Sequence, residues 1–366
     1  MTRHRILLLP GDGIGPEVTA AARQCLEAVA AGFDLSFAFD EAPVGGAGIE
    51  ACGEPLPAET LHRARTSDAV LLGAVGGPAW DAAPRRPEAG LLALRRGLGL
   101  FANLRPVKVF EGLEDLSPLK RDRVVGADLL IVRELTGGLY FGEKREGEYE
   151  AFDGCAYTRE EVERIARVAF EAAGQRRGRV TSVDKANVLA TSRLWRRTVE
   201  DHAQAWPEIA LDHLYVDAAA MTLVTQPARF DVVLTENLFG DILSDEAAVI
   251  AGSIGLLGSA SLGAGGPGVF EPVHGSAPDL AGRDIANPAG AIASAALLLR
   301  HGLGLPGPAQ ALDAALADTL RAGVRTLDLG GVTSCTRFAA SVCERLDRAD
   351  RLADRKAVEA GMVWTG

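Results

Sequence analysis

Two aspartates in the segment FGDILSDEA, residues 239 to 247, stand one helical turn apart. At that spacing Asp241 and Asp245 project from the same face of a helix, where their charges repel each other unless a positive group lies between them. Taken alone, such a pair is more typical of a solvated helix face than of a binding site. The two acids therefore raise the question of what positive group could lie beside them.

Lys185 and Tyr140 are candidates for proton transfer. Lys185 follows the apolar strand VTSV and precedes a helix in DKANVL, and Tyr140 lies in the glycine-flanked segment TGGLYFG. On their own, a salt-bridged surface lysine and a packed hairpin aromatic are the more ordinary interpretations. Arg133 is less ordinary, because it ends the apolar strand LLIVRE with a guanidinium suited to a carboxylate.

A glycine-rich segment, LLPGDGIGPEV at residues 8 to 18, follows a predicted strand and opens a predicted helix. Glycines 11, 13 and 15 give G-x-G-x-G, which differs from the dinucleotide-binding spacing, and no acidic residue ends a second strand at the expected distance. A tight strand-to-helix connection is at least as good an interpretation.

The composition favours small-molecule chemistry. The chain has 366 residues, 48% of them hydrophobic, and a net charge of -11, so it offers no basic patch for nucleic acid. Its five cysteines are odd in number and scattered, as expected for reduced, structural thiols of a cytoplasmic protein. The apolar run after the first basic residues is too short for a signal-peptide core, and no segment approaches the ~18 apolar residues of a membrane span.

The elements that must position these residues alternate between short apolar strands and Ala/Leu/Arg-rich helices, which predicts an α/β protein. The predicted strands lie in RILLLP, DAVLLGAVGG, ADLLIVRE, VTSVDKA and FDVVLTEN. We expect the chain to cross between two lobes near Phe101 and near Gly252 to Gly255, which makes one lobe discontinuous. The tail from about Ala349 is predicted to be a solvated terminal helix.

Seven longer segments carry a much more specific pattern in one unbroken order: LLPGDGIGPEV, GAVGGPAWD, LFANLRPVKVF, IVRELTGGLYFG, VDKANVL, FDVVLTENLFGDILSDEAA and EPVHGSAPDLAGRDIANP. Together they resemble the isocitrate/isopropylmalate dehydrogenase family of metal-dependent decarboxylating dehydrogenases, over roughly residues 5 to 345. The resemblance implies a two-domain α/β fold that is not a true Rossmann fold. Residues 1–100 and 253–366 would form a cofactor-binding domain, and residues 101–252 a substrate, metal and dimerisation domain.

The resemblance also implies roles for the acids, the lysine and the tyrosine. Asp217, Asp241 and Asp245 match the family's ligands for Mg2+ or Mn2+, hard cations that prefer oxygen donors. The positive body beside the two helical acids would then be a metal ion. Lys185 matches the general base that takes the C2 hydroxyl proton, and Tyr140 matches the acid that protonates carbon after CO2 is lost.

The implied substrate is a malate substituted at C3, whose two carboxylates call for arginines. Arg95, Arg105 and Arg133 match the family's carboxylate partners, and Asp217 also lies toward the substrate. Leu91, one turn before Arg95, matches the position that faces the C3 substituent. A leucine favours an isopropyl group there, since an unpaired carboxylate would be desolvated at a cost of several kcal/mol. A core-facing leucine is the ordinary alternative.

The implied cofactor is NAD, bound mainly by the loop GGPAWDAAPRRPE and the segment HGSAPDLAGRDIAN. Asp279 would accept hydrogen bonds from the adenosine ribose and repel a 2'-phosphate, which favours NAD over NADP. The other matching positions are Ile14 near the adenine, Gly76 and Gly77 in the loop, Glu88 toward the nicotinamide, and His274, Gly275, Ser276, Ala277 and Asn287 at the adenosine.

These positions together imply NAD-dependent oxidative decarboxylation of (2R,3S)-3-isopropylmalate to 4-methyl-2-oxopentanoate, CO2 and NADH, in leucine biosynthesis. The resemblance implies a homodimer in which Lys185 and Asp217 reach into the partner's site, and it implies neither a nucleic-acid nor a membrane partner. Two alternatives stay open. The same chemistry could act on tartrate, homoisocitrate or isocitrate, or the chain could be a non-catalytic homologous subunit.

Overall fold

The computed structural model describes residues 3–80 and 83–347, which form two compact units. Unit 1 comprises Met1–Leu98, Gly255–Gly258 and Gly266–Gly366, and unit 2 comprises Gly99–Ile254 and Ser259–Gly265. The predicted terminal helix from about Ala349 lies outside the described residues. The assignment of one part of the chain to the cofactor and the other to substrate stays a prediction.

Within the described residues the strands are β1 Arg3–Gly11, β2 Ser36–Glu41, β3 Ala69–Ala74, β4 Leu100–Lys108, β5 Asp128–Glu134, β6 Lys144–Glu146, β7 Ala151–Asp153, β8 Arg179–Asp184, β9 Ala210–Tyr215, β10 Val232–Thr235, β11 Gly258–Gly263 and β12 Val269–Pro272. The five segments predicted as strands correspond to β1, β3, β5, β8 and β10. A strand that is covered on both faces has a continuous apolar sequence, so these five strands are recognisable from the sequence.

The helices in the same residues are α1 Gly15–Gly32, α2 Gly46–Cys52, α3 Ala58–Thr66, α4 Glu88–Gly97, α5 Arg121–Val124, α6 Arg159–Gly174, α7 Ala190–Ala203, α8 Val216–Thr225, α9 Asn237–Ile250, α10 Ala289–Leu297, α11 Pro306–Arg321 and α12 over residues 335–347. Hydrogen bonds from nearby side chains fix where α6 and α9 begin. Thr158 and Glu161 form a reciprocal capping box at α6, and the Glu236 carboxylate accepts the amide of Phe239 at the start of α9. None of the helices described is long and apolar enough to span a bilayer.

In unit 1 the strands lie in the order β2-β1-β3-β12, and all neighbouring pairs are parallel. Helices α1 and α10 pack against these strands and against each other. Their inward faces include Val18, Leu26 and Ile292, which are completely buried. Burial of such side chains contributes roughly 1.5 to 3 kcal/mol each, so this core holds the loops at the strand ends in place.

In unit 2 the order is β11-β4-β5-β10-β8-β9. β4 runs antiparallel to both β11 and β5, whereas β5, β10, β8 and β9 are mutually parallel. Because parallel strands point the same way, β5, β8 and β10 end at one edge. Arg133 lies near the end of β5, Lys185 follows β8, and α9 begins shortly after β10. β6 and β7 form a separate, exposed antiparallel hairpin.

The first glycine-rich turn connects β1 to α1. Asp12 at its centre accepts hydrogen bonds from the amides of Gly46, Ala47 and Gly76, at 2.8, 2.9 and 2.8 Å. Gly13 has a positive φ of 57°, and a Cβ there would lie 2.0 Å from the carbonyl oxygen of Ser276. The turn therefore joins three loops of unit 1 through close backbone contacts.

Candidate active site

Two arginines, two aspartates and a tyrosine meet at the ends of strands in unit 2. Arg133 Nη1 donates a short hydrogen bond to Asp241 Oδ1, and the Tyr140 hydroxyl donates to Asp241 Oδ2 at 2.7 Å. Arg105 Nη1 lies 3.1 Å from Asp245 Oδ1, and its Nη2 lies 3.7 Å from Asp241 Oδ1. In this chain the positive groups beside the two helical acids are thus two guanidinium groups.

The elements explain why these side chains meet. α9 carries Asp241 and Asp245 one turn apart on one face, as the spacing predicted, and it packs against β5. Gly240 makes this close approach possible, because a Cβ there would lie 2.7 Å from Cγ of Arg133. Arg105 reaches the same acids from β4, the antiparallel neighbour of β5. The side chains of Asp241 and Asp245 remain 33% and 63% exposed, so their oxygens are accessible.

Charge and burial set the protonation states in this cluster. Burial acts to raise the pKa of Asp241, but Arg133, the Tyr140 hydrogen bond and Arg105 together lower it below its ordinary value. Burial and the hydrogen bond to the Asp241 carboxylate raise the pKa of Tyr140. Asp241 is therefore held ionised, and the phenol of Tyr140 is held protonated. A proton donor requires that protonated state.

Lys185 and Asp217 form a second group in unit 2. Lys185 Nζ lies 2.9 Å from Asp217 Oδ1, and the hydrogen bond from Lys185 lowers the pKa of Asp217. Asp217 opens α8 and its side chain is 64% exposed. Asp184, next to Lys185, is buried and is paired with Arg196 through two hydrogen bonds of 2.8 and 2.9 Å. That pairing leaves the Lys185 ammonium directed to Asp217.

The described residues of this single chain hold no group of three or more His, Cys, Asp or Glu side chains arranged for a metal ion. Asp241 and Asp245 lie together on α9, whereas Asp217 lies on α8 and contacts Lys185, which follows β8. The expectation that Asp217 completes the site of a partner subunit stays a prediction. The exposed carboxylate pair on α9 does supply the oxygen donors that a hard divalent cation prefers.

In unit 1, Leu91 and Arg95 lie on α4, one turn apart on the same side. Arg95 Nη2 donates to Glu271 Oε1 of β12 at 2.7 Å, and the two side chains are only 12% and 9% exposed. Leu91 is half-buried. A buried ion pair therefore fixes the direction of Arg95.

The candidate cofactor residues come together at one end of the unit 1 strands. The Ile14 amide donates to the Ser276 carbonyl at 2.7 Å, and Ala277 adopts a positive φ of 35°. Gly76 and Gly77 also have positive φ, and a Cβ on Gly76 would lie 2.4 Å from Glu88 Oε1. These backbone conformations hold the two candidate segments against the first turn.

Several polar groups of this region are arranged for a ligand. His274 Nδ1 contacts the Gly275 carbonyl, whereas its Nε2 is buried without a partner among the described residues, and burial lowers the histidine's pKa. A Cβ on Gly275 would meet nothing within 4 Å, so open space lies beside it. Asn287 is buried and bonds to Asp328 at 2.9 Å, whereas Asp279 is exposed. The buried Nε2 of His274 therefore leaves one polar atom of this segment for a bound group to satisfy.

Sequence reasoning missed four buried polar residues that contact the predicted arginines: Asn103, Asn237, Ser244 and Glu271. They lie in the segments FANLRP, TENLFGDILS and FEPVH, whose individual roles were not assigned from the sequence. A buried polar residue beside an apolar run was the available signal. Asn103 meets Arg105 within β4, whereas the partners of the other three depend on which elements are neighbours, and the sequence alone does not supply that.

Comparison with known proteins agrees with this geometry. A family model described as isocitrate/isopropylmalate dehydrogenase matches residues 5–342. A protein named 3-isopropylmalate dehydrogenase from Listeria innocua is 54% identical over 345 residues, covering 94% of this chain and 99% of its own length. One of the same name from Synechococcus is 56% identical over 336 residues, covering 90% and 94%.

Solved structures give the same result. Isocitrate dehydrogenase from Methylococcus capsulatus superposes with a TM-score of 0.84 at 37% identity, covering 94% of this chain and 99% of its own. A beta-decarboxylating dehydrogenase from Thermococcus kodakarensis gives 0.79 at 40% identity, covering 94% and 96%. The predicted α/β fold class is confirmed, and the chain belongs to the isocitrate/isopropylmalate dehydrogenase family.

Proposed function

We propose that this protein catalyses the NAD-dependent oxidative decarboxylation of 3-isopropylmalate to 4-methyl-2-oxopentanoate, CO2 and NADH, a step of leucine biosynthesis. The observation that carries the proposal is the cluster of Arg105, Arg133, Tyr140 and Asp241 in unit 2. It combines carboxylate-binding cations with a protonated acid. Relatives named 3-isopropylmalate dehydrogenase, 54% and 56% identical over most of the chain, support the choice of substrate.

The arginines supply substrate binding. Arg105 and Arg133 present guanidinium groups that can bind carboxylates through paired hydrogen bonds. Arg95 of unit 1 is a third candidate for a substrate carboxylate, and Leu91 on the same side of α4 is the candidate contact for the 3-isopropyl group. An isopropyl group gains roughly 1.5 to 3 kcal/mol from burial against such apolar surface.

Lys185 and Tyr140 divide the proton transfers. In its amine form, Lys185 accepts the proton of the C2 hydroxyl while a hydride leaves C2 for the nicotinamide. The product of this oxidation is a β-keto acid, which loses CO2. Tyr140 then donates its phenolic proton to C3, and its raised pKa keeps that proton in place until then.

Asp241 and Asp245 would hold Mg2+ or Mn2+, with Asp217 as the third proposed ligand. When bound, such an ion polarises the C2 oxygen and stabilises the enolate that forms as CO2 leaves. The exposed carboxylates on one face of α9 support this assignment. Arg105 contacts both carboxylates, and Arg133 contacts that of Asp241.

NAD is the proposed cofactor, bound in unit 1 by the segment from His274 to Asn287 together with Gly76, Gly77 and Glu88. The buried, unpartnered Nε2 of His274 and the open space beside Gly275 support an adenosine there. Ile14 lies against this segment through its bond to Ser276. The exposed carboxylate of Asp279 is the proposed acceptor for the ribose hydroxyls and disfavours a 2'-phosphate.

A homodimer in the cytoplasm is the proposed state of the enzyme. Helices α8 and α9 contact each other and leave apolar side chains in solvent, among them Met221 at 65%, Ile242 at 57% and Val249 at 57% exposure. Such a patch is typical of a protein interface. The proposed dimer would bring Lys185 and Asp217 to the partner's site.

Isocitrate is the second candidate substrate, because a solved isocitrate dehydrogenase is 37% identical to this chain. Leu91 argues against it, since leucine offers no partner for a third carboxylate. The proposal is tested by incubating the protein with 3-isopropylmalate, NAD and Mg2+ and measuring NADH and CO2. Equal amounts of both are expected, whereas NADH without CO2, or no turnover at all, would contradict the assigned reaction.

A further inference from the structure

Each arginine of the unit 2 cluster is held at its Nε by the amide oxygen of an asparagine. Arg133 donates from Nε and Nη2 to Asn237 Oδ1, at 3.2 and 2.8 Å. Arg105 donates from Nε to Asn103 Oδ1 at 2.9 Å. The two arginines therefore share one arrangement, although the asparagines come from different elements, β4 and the start of α9.

Both asparagines are buried and are anchored on their other side. Asn103 is 0% exposed and its Nδ2 lies 3.2 Å from Ser261 Oγ. Asn237 is 1% exposed and its Nδ2 donates to the Gly137 carbonyl at 3.2 Å. Because a guanidinium group only donates hydrogen bonds, the amide oxygen must face each arginine. Neither amide can turn without leaving a buried polar group unpaired.

We propose that Asn103 and Asn237 are positioning residues that orient the two guanidinium groups without cancelling their charge. This rests on the proposed function, in which Arg105 and Arg133 bind substrate carboxylates. A carboxylate in either place would accept the same hydrogen bonds, but it would form an ion pair that competes with the substrate for the guanidinium group. Arg95 of unit 1 is held at Nη2 by the carboxylate of Glu271, whereas the Nε groups of Arg105 and Arg133 donate to amide oxygens.

The charges around Arg105 and Arg133 explain why their asparagine partners need to be uncharged. Arg105 and Arg133 face the two carboxylates of Asp241 and Asp245. A third carboxylate would make this cluster net negative toward a substrate that itself carries two negative charges. An asparagine has the shape and the acceptor oxygen of an aspartate but carries no negative charge. The guanidinium charges therefore remain available to the substrate carboxylates.

The test compares isosteric and truncating variants by steady-state kinetics with 3-isopropylmalate as varied substrate. Asn237→Asp and Asn103→Asp keep the shape but add charge, and each should raise KM at least about tenfold with kcat changed by less than about threefold. Asn237→Ser and Asn103→Ser remove the orienting bonds without charge and should raise KM about three- to tenfold. Gln175→Glu makes the same amide-to-carboxylate change at an exposed position after α6 and should leave both constants unchanged.

Two outcomes overturn the inference. Serine variants with the KM of the unchanged protein would show that the amides do not orient the arginines, whether or not the aspartate variants fold. Folded aspartate variants that lose kcat at constant KM would show that the added charge acts on chemistry and not on binding. Turnover by the unchanged protein is measured in the same assay, so a failure of the proposed reaction is distinguishable from a failure of this inference.

Discussion

The hydroxyl of Tyr140 donates a 2.7 Å hydrogen bond to Oδ2 of Asp241, whose other oxygen accepts from Arg133. One carboxylate thus contacts both the proposed proton donor and a proposed substrate-binding cation. Because burial and the hydrogen bond to Asp241 raise the pKa of Tyr140, the proposed acid stays protonated while the carboxylate stays ionised. Changes at Tyr140 therefore act on the proton-donating step more directly than on binding.

Replacing the two proton-transfer residues should impair different steps. Lys185→Met removes the acceptor of the hydroxyl proton, so NADH should not form even in a single turnover. Tyr140→Phe removes the donor, so NADH should form in a first turnover while release of product slows by about 10²- to 10⁴-fold. Rapid-mixing measurements of NADH absorbance, followed by analysis of the ketoacid product, separate the two steps. Equal defects at both steps in both variants would contradict this division.

Removal of divalent cations should abolish turnover, because no other group then stabilises the enolate. Protein treated with a chelator is expected to recover with either Mg2+ or Mn2+. Asp245→Asn removes one proposed ligand and should raise the metal concentration for half-maximal activity at least about tenfold. Asp122→Asn, at a side chain 73% exposed in the same unit, serves as the matched control. Full activity in excess chelator would rule out the metal assignment.

The preference for NAD should depend on Asp279. The unchanged protein is expected to use NAD at least about a hundredfold more efficiently than NADP, since the carboxylate repels the 2'-phosphate. Asp279→Asn should narrow that ratio mainly by improving use of NADP. The ratio of kcat/KM for the two cofactors measures this effect, and equal use of both by the unchanged protein would refute the role of Asp279.

The cysteines of unit 1 should differ in how readily they are alkylated at a given pH. This difference tests the described packing of unit 1. Burial raises the pKa of Cys335 to about 12, so at pH 8 almost none of it is thiolate, whereas Cys52 is exposed. Iodoacetamide should therefore alkylate Cys52 before Cys335 in the native protein, and Cys335 only after denaturation with urea. Peptide mass spectrometry identifies the labelled residue, and early labelling of Cys335 would contradict the described packing.

Local patterns predicted the elements better than the contacts between them. The apolar runs marked the central strands, and the spacing of Asp241 and Asp245 put both on one face of α9, as observed. The roles of Lys185, Tyr140 and the arginines came from resemblance, because neither residue type nor spacing separates a catalytic lysine from a surface one.

The contact between Asn237 and Arg133 was beyond prediction for a physical reason. It joins residues 104 apart along the chain and forms because α9 packs against β5. The position of Asn103 opposite Arg133 likewise depends on the antiparallel register of β4 and β5. Register is set by packing across the whole sheet, and a shift by one residue would turn every side chain to the other face. Arg95 and Glu271 likewise meet only because α4 and β12, 176 residues apart along the chain, are neighbours in unit 1.

Substrate preference gives the most direct test of the central claim. We expect kcat/KM with 3-isopropylmalate to exceed that with isocitrate or tartrate by at least about a hundredfold, since an apolar pocket binds isopropyl and leaves a carboxylate unpaired. Leu91→Ser should reduce this ratio, whereas Leu92→Ser, at an exposed neighbour on the same helix, should not. Comparable kcat/KM values for 3-isopropylmalate and isocitrate in the unchanged protein would contradict the account of its substrate.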